Sequence, residues 1–146
     1  MIINSTQIRV RYADTDQMRV VHHAKFLEYF ELGRSSLIRS LGMSYAELEA
    51  RGVSLPVIEA FAKYRRPAFY DELINVESRI SELPKASLRI EYQVRREDKV
   101  DILAEGYTVH GFLNSSTNKP TRAPAYFVEM LERGMRGEFH QYSGQE

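Results

Sequence analysis

Cysteine is absent from the 146 residues. Its absence excludes disulfides, thiolate nucleophiles and every cysteine-containing zinc site, although it fixes no compartment. An excess of either charge is absent too, since Lys plus Arg and Asp plus Glu both number 20. No global field therefore draws the chain to nucleic acid or anionic lipid, and any phosphate-bearing ligand has to be met locally. No apolar run is long enough to span a bilayer, and the opening MIINSTQIRV lacks the basic start and apolar stretch of a leader. A soluble, cytoplasmic protein is the expectation.

What is present suits one domain, because a chain of this length buries roughly 70% of its unfolded surface. From Thr6 to Tyr12 the residues alternate, with Ile8, Val10 and Tyr12 on one face, which predicts a half-buried strand. Phe26, Leu27, Phe30, Leu37, Ile38 and Leu41 then recur at helical spacing, and Gly42 closes that helix. Gly33 falls on the apolar stripe, where it weakens the helix but permits a close approach. Ser44 and Glu47 have capping-box spacing ahead of a short second helix that ends at Gly52.

The segments PVIEAFAKYR, INVESRI, SLRIEYQVR and Ile102 to Leu113 read as four strands joined largely by turn signals, the last of them inside the sheet. NSSTNKP reads as a loop, and Pro124 suits the first turn of a short helix through Leu131. The order lacks the strand and helix alternation of a parallel sheet, so the fold class is α+β, with one long helix against an antiparallel sheet. Residues 1–132 form the expected domain, and 133–146 a polar, flexible C-terminal tail.

The chemistry concentrates in RYADTDQMRVVHHAKFLEYFELGR, residues 11–34, where two aspartates and two histidines precede the long helix. Asp14, Asp16, His22 and His23 are all legitimate metal ligands. Their spacing is poor for one: adjacent histidines tend to project in different directions, and no third histidine or patterned glutamate completes a set. The bland alternative is an Asx turn made by Asp14 or Asp16 and a histidine that caps or packs.

The run RVRYADTDQMRVVHHAKFLEYFE resembles the signature of the 4-hydroxybenzoyl-CoA thioesterase family of hotdog-fold enzymes, and more narrowly the short acyl-CoA thioesterases associated with the bacterial Tol-Pal system. YRRPAFYDELINVESRI is similar to that family's second sheet segment, so the resemblance extends to about Leu131. It implies a hotdog fold, with an antiparallel sheet wrapped around one long central helix. It also implies homodimers or homotetramers with sites at subunit interfaces, and hydrolysis of an acyl-CoA thioester without metal or bound cofactor. By position it assigns the catalytic carboxylate to Asp16, assistance to Tyr12 and His23, and a turn role to Asp14. Asp16 would act as general base to a water or attack directly, with backbone N–H groups near His23 holding the thioester oxygen.

One departure stands out. The family usually has glycine three residues after the catalytic aspartate, and here that residue is Arg19. A positive φ there would strain an arginine by about 1 kcal/mol or more. Arg19 and the cluster Lys63, Arg65 and Arg66 are the candidates for coenzyme A phosphates, with Arg19, Arg65 and Arg66 favoured as substrate-binding residues. Tyr29, Phe30, Phe61 and Tyr64 are candidates for an acyl channel or for core. A hotdog hydratase is the same-fold rival, but its D-x-N-P-x-H motif is absent, since Asp16 to His22 reads DQMRVVH. A non-catalytic acyl-CoA-binding or docking module is the rival from another class.

Overall fold

The computed structural model describes residues 1–97 and 100–139. Its elements follow the order β1 (Ile2–Arg9), a single 3-10 turn (Tyr12–Asp14), α1 (Lys25–Ser40), α2 (Tyr45–Ala50), β2 (Val53–Ser54), β3 (Val57–Tyr64), β4 (Leu73–Ile80), β5 (Ser87–Arg96), β6 (Ile102–Gly111), β7 (Leu113–Asn114), β8 (Lys119–Pro120) and α3 (Ala125–Met135). The main sheet has five antiparallel strands in the order β1-β4-β5-β6-β3. α1 contacts β1, β3, β4 and β5, which is the helix-in-sheet arrangement that the resemblance implies. The inner face of the sheet carries Ile74, Val76, Ile80, Leu88, Ile90, Tyr92 and Val94, all buried against Phe30, Leu37 and Ile38 of α1.

Alternation predicts β4 and β5 well, and β6, read from its nearly uncharged faces, lies inside the sheet as expected. Four expectations need correction. β1 starts at Ile2 and ends at Arg9, and Tyr12 belongs to the 3-10 turn with 70% of its surface exposed. Leu27 is on the solvent side of α1, 40% exposed, while Tyr29 takes the buried position. NSSTNKP is part of a small hairpin, β7 and β8, which pairs with β2 as a second three-stranded sheet. α3 continues to Met135, past the boundary expected at residue 132, and buries Gly134 against Leu41 and Ile2. Residues 140–146 of the expected tail lie outside the described residues.

Gly33 is where α1 comes closest to β4. A Cβ built there would stand 2.6 Å from Ser78 Oγ and 2.7 Å from Val76 Cγ1. Alanine normally gains up to about 1 kcal/mol over glycine inside a helix, but here overpacking of about 1–3 kcal/mol opposes it. Gly33→Ala is expected to lower stability in denaturant melts. An increase would mean that the helix is free to move off the sheet.

Candidate active site at the start of the long helix

The D-T-D segment resolves into two aspartates with opposite environments. Asp14 is buried, at 2% exposure. Its carboxylate accepts from the Arg11 backbone N–H (3.1 Å), the Arg11 guanidinium (2.9 Å) and the Tyr29 hydroxyl (3.0 Å). Burial alone would raise its pKa, but the hydrogen bonds from Arg11 and Tyr29 outweigh it and hold the carboxyl below the ordinary aspartate range. The Tyr29 hydroxyl is pushed up in turn, first by burial and then by Asp14. Asp14 therefore ties the loop to α1.

Asp16 is exposed and opens a tight turn. Its carbonyl accepts from Arg19 N–H (3.0 Å), its own N–H donates to Val20 O (2.9 Å), and Thr15 pairs with Val21 across the base. Such a three-residue hairpin loop places its last residue in the left-handed region, and Arg19 has φ +63°. The conditional expectation of strain at Arg19 is thus met in the backbone. Asp16 Oδ1 accepts from Met18 N–H (2.8 Å) and Val20 N–H (3.3 Å), while Oδ2 has no partner among the described residues. One oxygen fixes the carboxylate and the other is available. Arg19→Gly is expected to stabilise the fold by about 1 kcal/mol, because only the backbone strain is removed. A lower melting temperature would show that the side chain contributes more than its conformation costs.

The turn leads directly into α1. His22 Nδ1 accepts from Ala24 N–H (3.3 Å), so His22 serves the cap of the helix. The His23 backbone N–H has no partner among the described residues, and the His23 side chain lines a groove of about 250 Å³ together with Val20, Val21, Phe26, Tyr64, Arg65, Arg66 and Pro67. Val20 and Val21 are held over the β3–β4 connection by a bridge to Phe69 and by Val21 N–H donating to Ala68 O (2.9 Å). The two histidine rings do not diverge as expected. They stack with centroids 4.3 Å apart and planes at 29°.

The structure brings His23, Arg65 and Arg66 to one groove; Asp16 is not among its lining residues and only accepts from the backbone N–H of Val20, which is. Tyr12 and Arg19 are not among the lining residues. The Tyr12 ring meets Tyr70 edge-on at 5.8 Å, and its carbonyl accepts from the Thr15 N–H and hydroxyl. Arg65 already grips Glu105 with two nitrogens, at 3.0 and 2.5 Å, whereas the Asp101 carboxylate stands 4.0 Å from Arg66. Of the candidate channel aromatics, Tyr64 alone lines the groove. Tyr29 and Phe30 are core, and Phe61 stacks on Tyr107 instead. Among the described residues no three His, Asp or Glu side chains gather closely enough to hold a metal ion.

Residues 10–131 match the thioesterase-like superfamily. The chain belongs to that family. Its sequence is 33% identical over 93 residues to the acyl-CoA thioesterase YbgC of Haemophilus influenzae, covering 63% of this chain and 68% of that one. It is 40% identical over 82 residues to YneP of Bacillus subtilis, where the match covers 56% of this chain and spans 59% of the relative's length. The solved structure of a DHNA-CoA thioesterase from Staphylococcus aureus superposes with a TM-score of 0.84 at 30% identity, covering 94% of this chain and 92% of that one. The family's fold is the hotdog.

A polar chain in the core was not legible from the sequence. The Tyr92 hydroxyl lies 2.7 Å from Thr108 Oγ1, which lies 2.8 Å from His110 Nε2, and His110 Nδ1 lies 3.2 Å from Leu55 O. A carbonyl only accepts, so neutral His110 carries its proton on Nδ1 and accepts at Nε2. The donors therefore run in one direction, from Tyr92 to Leu55.

Proposed function

We propose that this chain hydrolyses acyl-CoA thioesters to a free acid and coenzyme A, with Asp16 as general base or nucleophile. The observation that carries this reading is the His23 backbone N–H, unpartnered among the described residues, at the positive end of α1 beside a groove whose lining residue Val20 hydrogen-bonds the exposed Asp16 carboxylate. In the general-base form, a water oxygen adds to the thioester carbonyl carbon while its proton passes to Asp16 Oδ2. The carbonyl oxygen takes the electron pair and is held by the His23 N–H and the helix dipole. Collapse breaks the C–S bond, and the leaving thiolate takes up the proton. In the nucleophilic form, Asp16 Oδ2 itself adds and water then cleaves the resulting mixed anhydride.

Tyr12 assists through its carbonyl, which anchors the turn that presents Asp16. Arg66 and Arg19 are the stronger candidates for the coenzyme A phosphates, since Arg65 is occupied by Glu105. The finer placement in the Tol-Pal-associated subgroup rests on the D-T-D and V-V-x-H-A register and on the likeness to YbgC. We further read the β3 edge as a pairing edge for a second copy, because all eight of its residues lack a neighbouring strand on one side and Val57, Ile58, Phe61 and Tyr64 are exposed on it.

The test is release of free thiol from a panel of acyl-CoA substrates, with sedimentation of the same preparation. Turnover that survives excess chelator and an assembly larger than 17.0 kDa are expected. The backbone donor survives substitution, so His23→Ala removes only the ring's own N–H donor and should lower kcat about tenfold to a thousandfold with little change in KM, while His22→Ala should act mainly on melting temperature. No thiol from any member of the panel would favour the non-catalytic binding module.

A further inference from the structure

We infer that Tyr64 determines which acyl groups the groove accepts, favouring a planar, ring-sized group over a flexible chain. The inference rests on the thioesterase reading above and names the acyl specificity of the same site. Tyr64 is the last residue of β3, paired with Ala104, and the chain turns away immediately after it, with the N–H groups of Arg65 and Arg66 both donating to Leu103 O (2.9 and 3.1 Å). Its Cα is therefore set by the sheet. Its ring is set by the helix start, lying 6.0 Å from the His23 ring at 74° and 5.5 Å from the Phe26 ring at 57°.

Tyr64 is the ring common to both contacts, so it fixes the shape of the aromatic wall. Phe26 is buried at 3% exposure, whereas Tyr64 keeps 45% of its surface open, and its hydroxyl has no partner among the described residues. An open aromatic face beside a candidate reaction centre offers a stacking surface for a ligand. Arg66, on the same groove, disfavours a cationic ligand.

Size is compatible with this. The groove, open to solvent and about 250 Å³ in volume, exceeds the roughly 150 Å³ cavity that holds a benzene ring, so one ring with its carbonyl fits in it. A planar group meets the inclined facets of Tyr64 and Phe26 with little torsional freedom to lose. A flexible chain loses rotamer freedom for each bond that is fixed and gains no facet-specific contact.

The test uses two non-hydrolysable thioethers, phenacyl-coenzyme A and octyl-coenzyme A, titrated calorimetrically into the wild-type chain, Tyr64→Phe and Tyr64→Ala. Wild type and Tyr64→Phe should both bind the phenacyl compound more tightly. Tyr64→Ala should lose about tenfold on the phenacyl compound and hold or gain on the octyl one. Equal losses on both probes, no loss on either, or a Tyr64→Phe profile matching that of Tyr64→Ala would each overturn the inference. So would a Tyr64→Ala variant that only dissociates an oligomer and keeps the wild-type preference, because Tyr64 would then be an edge contact of β3.

Thiol release from the matching thioesters keeps the two readings apart. Selective binding without turnover defeats hydrolysis and leaves the groove assignment standing. Turnover with unchanged preference in Tyr64→Ala defeats the assignment alone.

Discussion

Asp16→Asn is expected to abolish most turnover, lowering kcat by about a hundredfold to ten-thousandfold with KM nearly unchanged, the range set by losing a positioned base. The amide oxygen can still accept from Met18 and Val20, as Oδ1 does now, so the turn and the strained Arg19 stay in place. Only the basicity and charge of the second oxygen are removed. Asp14→Asn makes the opposite change. It sets an amide against Arg11 and Tyr29 in a buried site, where an unsatisfied donor costs about 1–3 kcal/mol, and it should lower melting temperature more than kcat. Steady-state kinetics and thermal melts on both variants decide the matter. Equal and small losses from the two would reduce D-T-D to a turn and remove the mechanistic reading.

The second large effect concerns acid. His110 is fully buried, and burial pulls its pKa from 6.5 to about 4, with the Leu55 carbonyl opposing and the Arg34 charge adding to the shift. Above pH 6.5 both folded and unfolded chains hold this ring neutral, so its contribution does not vary. Below it the unfolded chain binds the proton and the folded one does not, until pH approaches 4. Stability is therefore lost across that window, by roughly 3 kcal/mol at about 1.4 kcal/mol per pH unit. The polarity of the chain adds to the resistance. A second proton on His110 would make Nε2 a donor and reverse Thr108 and Tyr92, leaving the buried Tyr92 hydroxyl proton without an acceptor among the described residues.

His110→Asn should lower stability at pH 7 through the broken chain, and the gap from wild type should close as pH falls to 4. Urea melts at several pH values measure it. A gap that stays constant with pH would refute the account.

How far the sequence carried depended on how local each signal was. Alternation in INVESRI and SLRIEYQVR reports a face, and β4 and β5 keep it. β1 was misplaced because Ile2 and Ile3 are adjacent apolar residues that break the alternation, although one is fully buried and the other 47% exposed. β2, β7 and β8 have two residues each and exist only through tertiary pairing, which no local period encodes.

In the candidate site, the missing glycine pointed to Arg19 because a positive φ has a residue preference. The separate environments of Asp14 and Asp16 came from the resemblance, since two aspartates in one loop look alike until Tyr29 and Arg11 close on one of them. Tyr64 could not be told from Phe61 three residues earlier. Their difference arises from which ring α1 reaches. His110 and Thr108 occupy inward positions of β6 where a hydrophobic residue was the default, and only the partners on β5 and at Leu55 explain them.

The pairing of β1 with β4 places Ile2 against Ile80 and Arg9 against Leu73, and this has a consequence for synthesis. β1 cannot find its partner until β4 has been translated, which at roughly 5–20 residues per second takes several seconds. During that interval α1 can form from local contacts alone, whereas β1 waits as an unpaired segment with Ile2, Ile3 and Ile8 uncovered. Loop closure across so many residues also puts this pairing among the slow, non-local steps of folding. Helix α1 thus precedes the pairing of β1 with β4, and the segment carrying Asp16 and His23 is drawn taut between α1 and β1 only once β4 has been made.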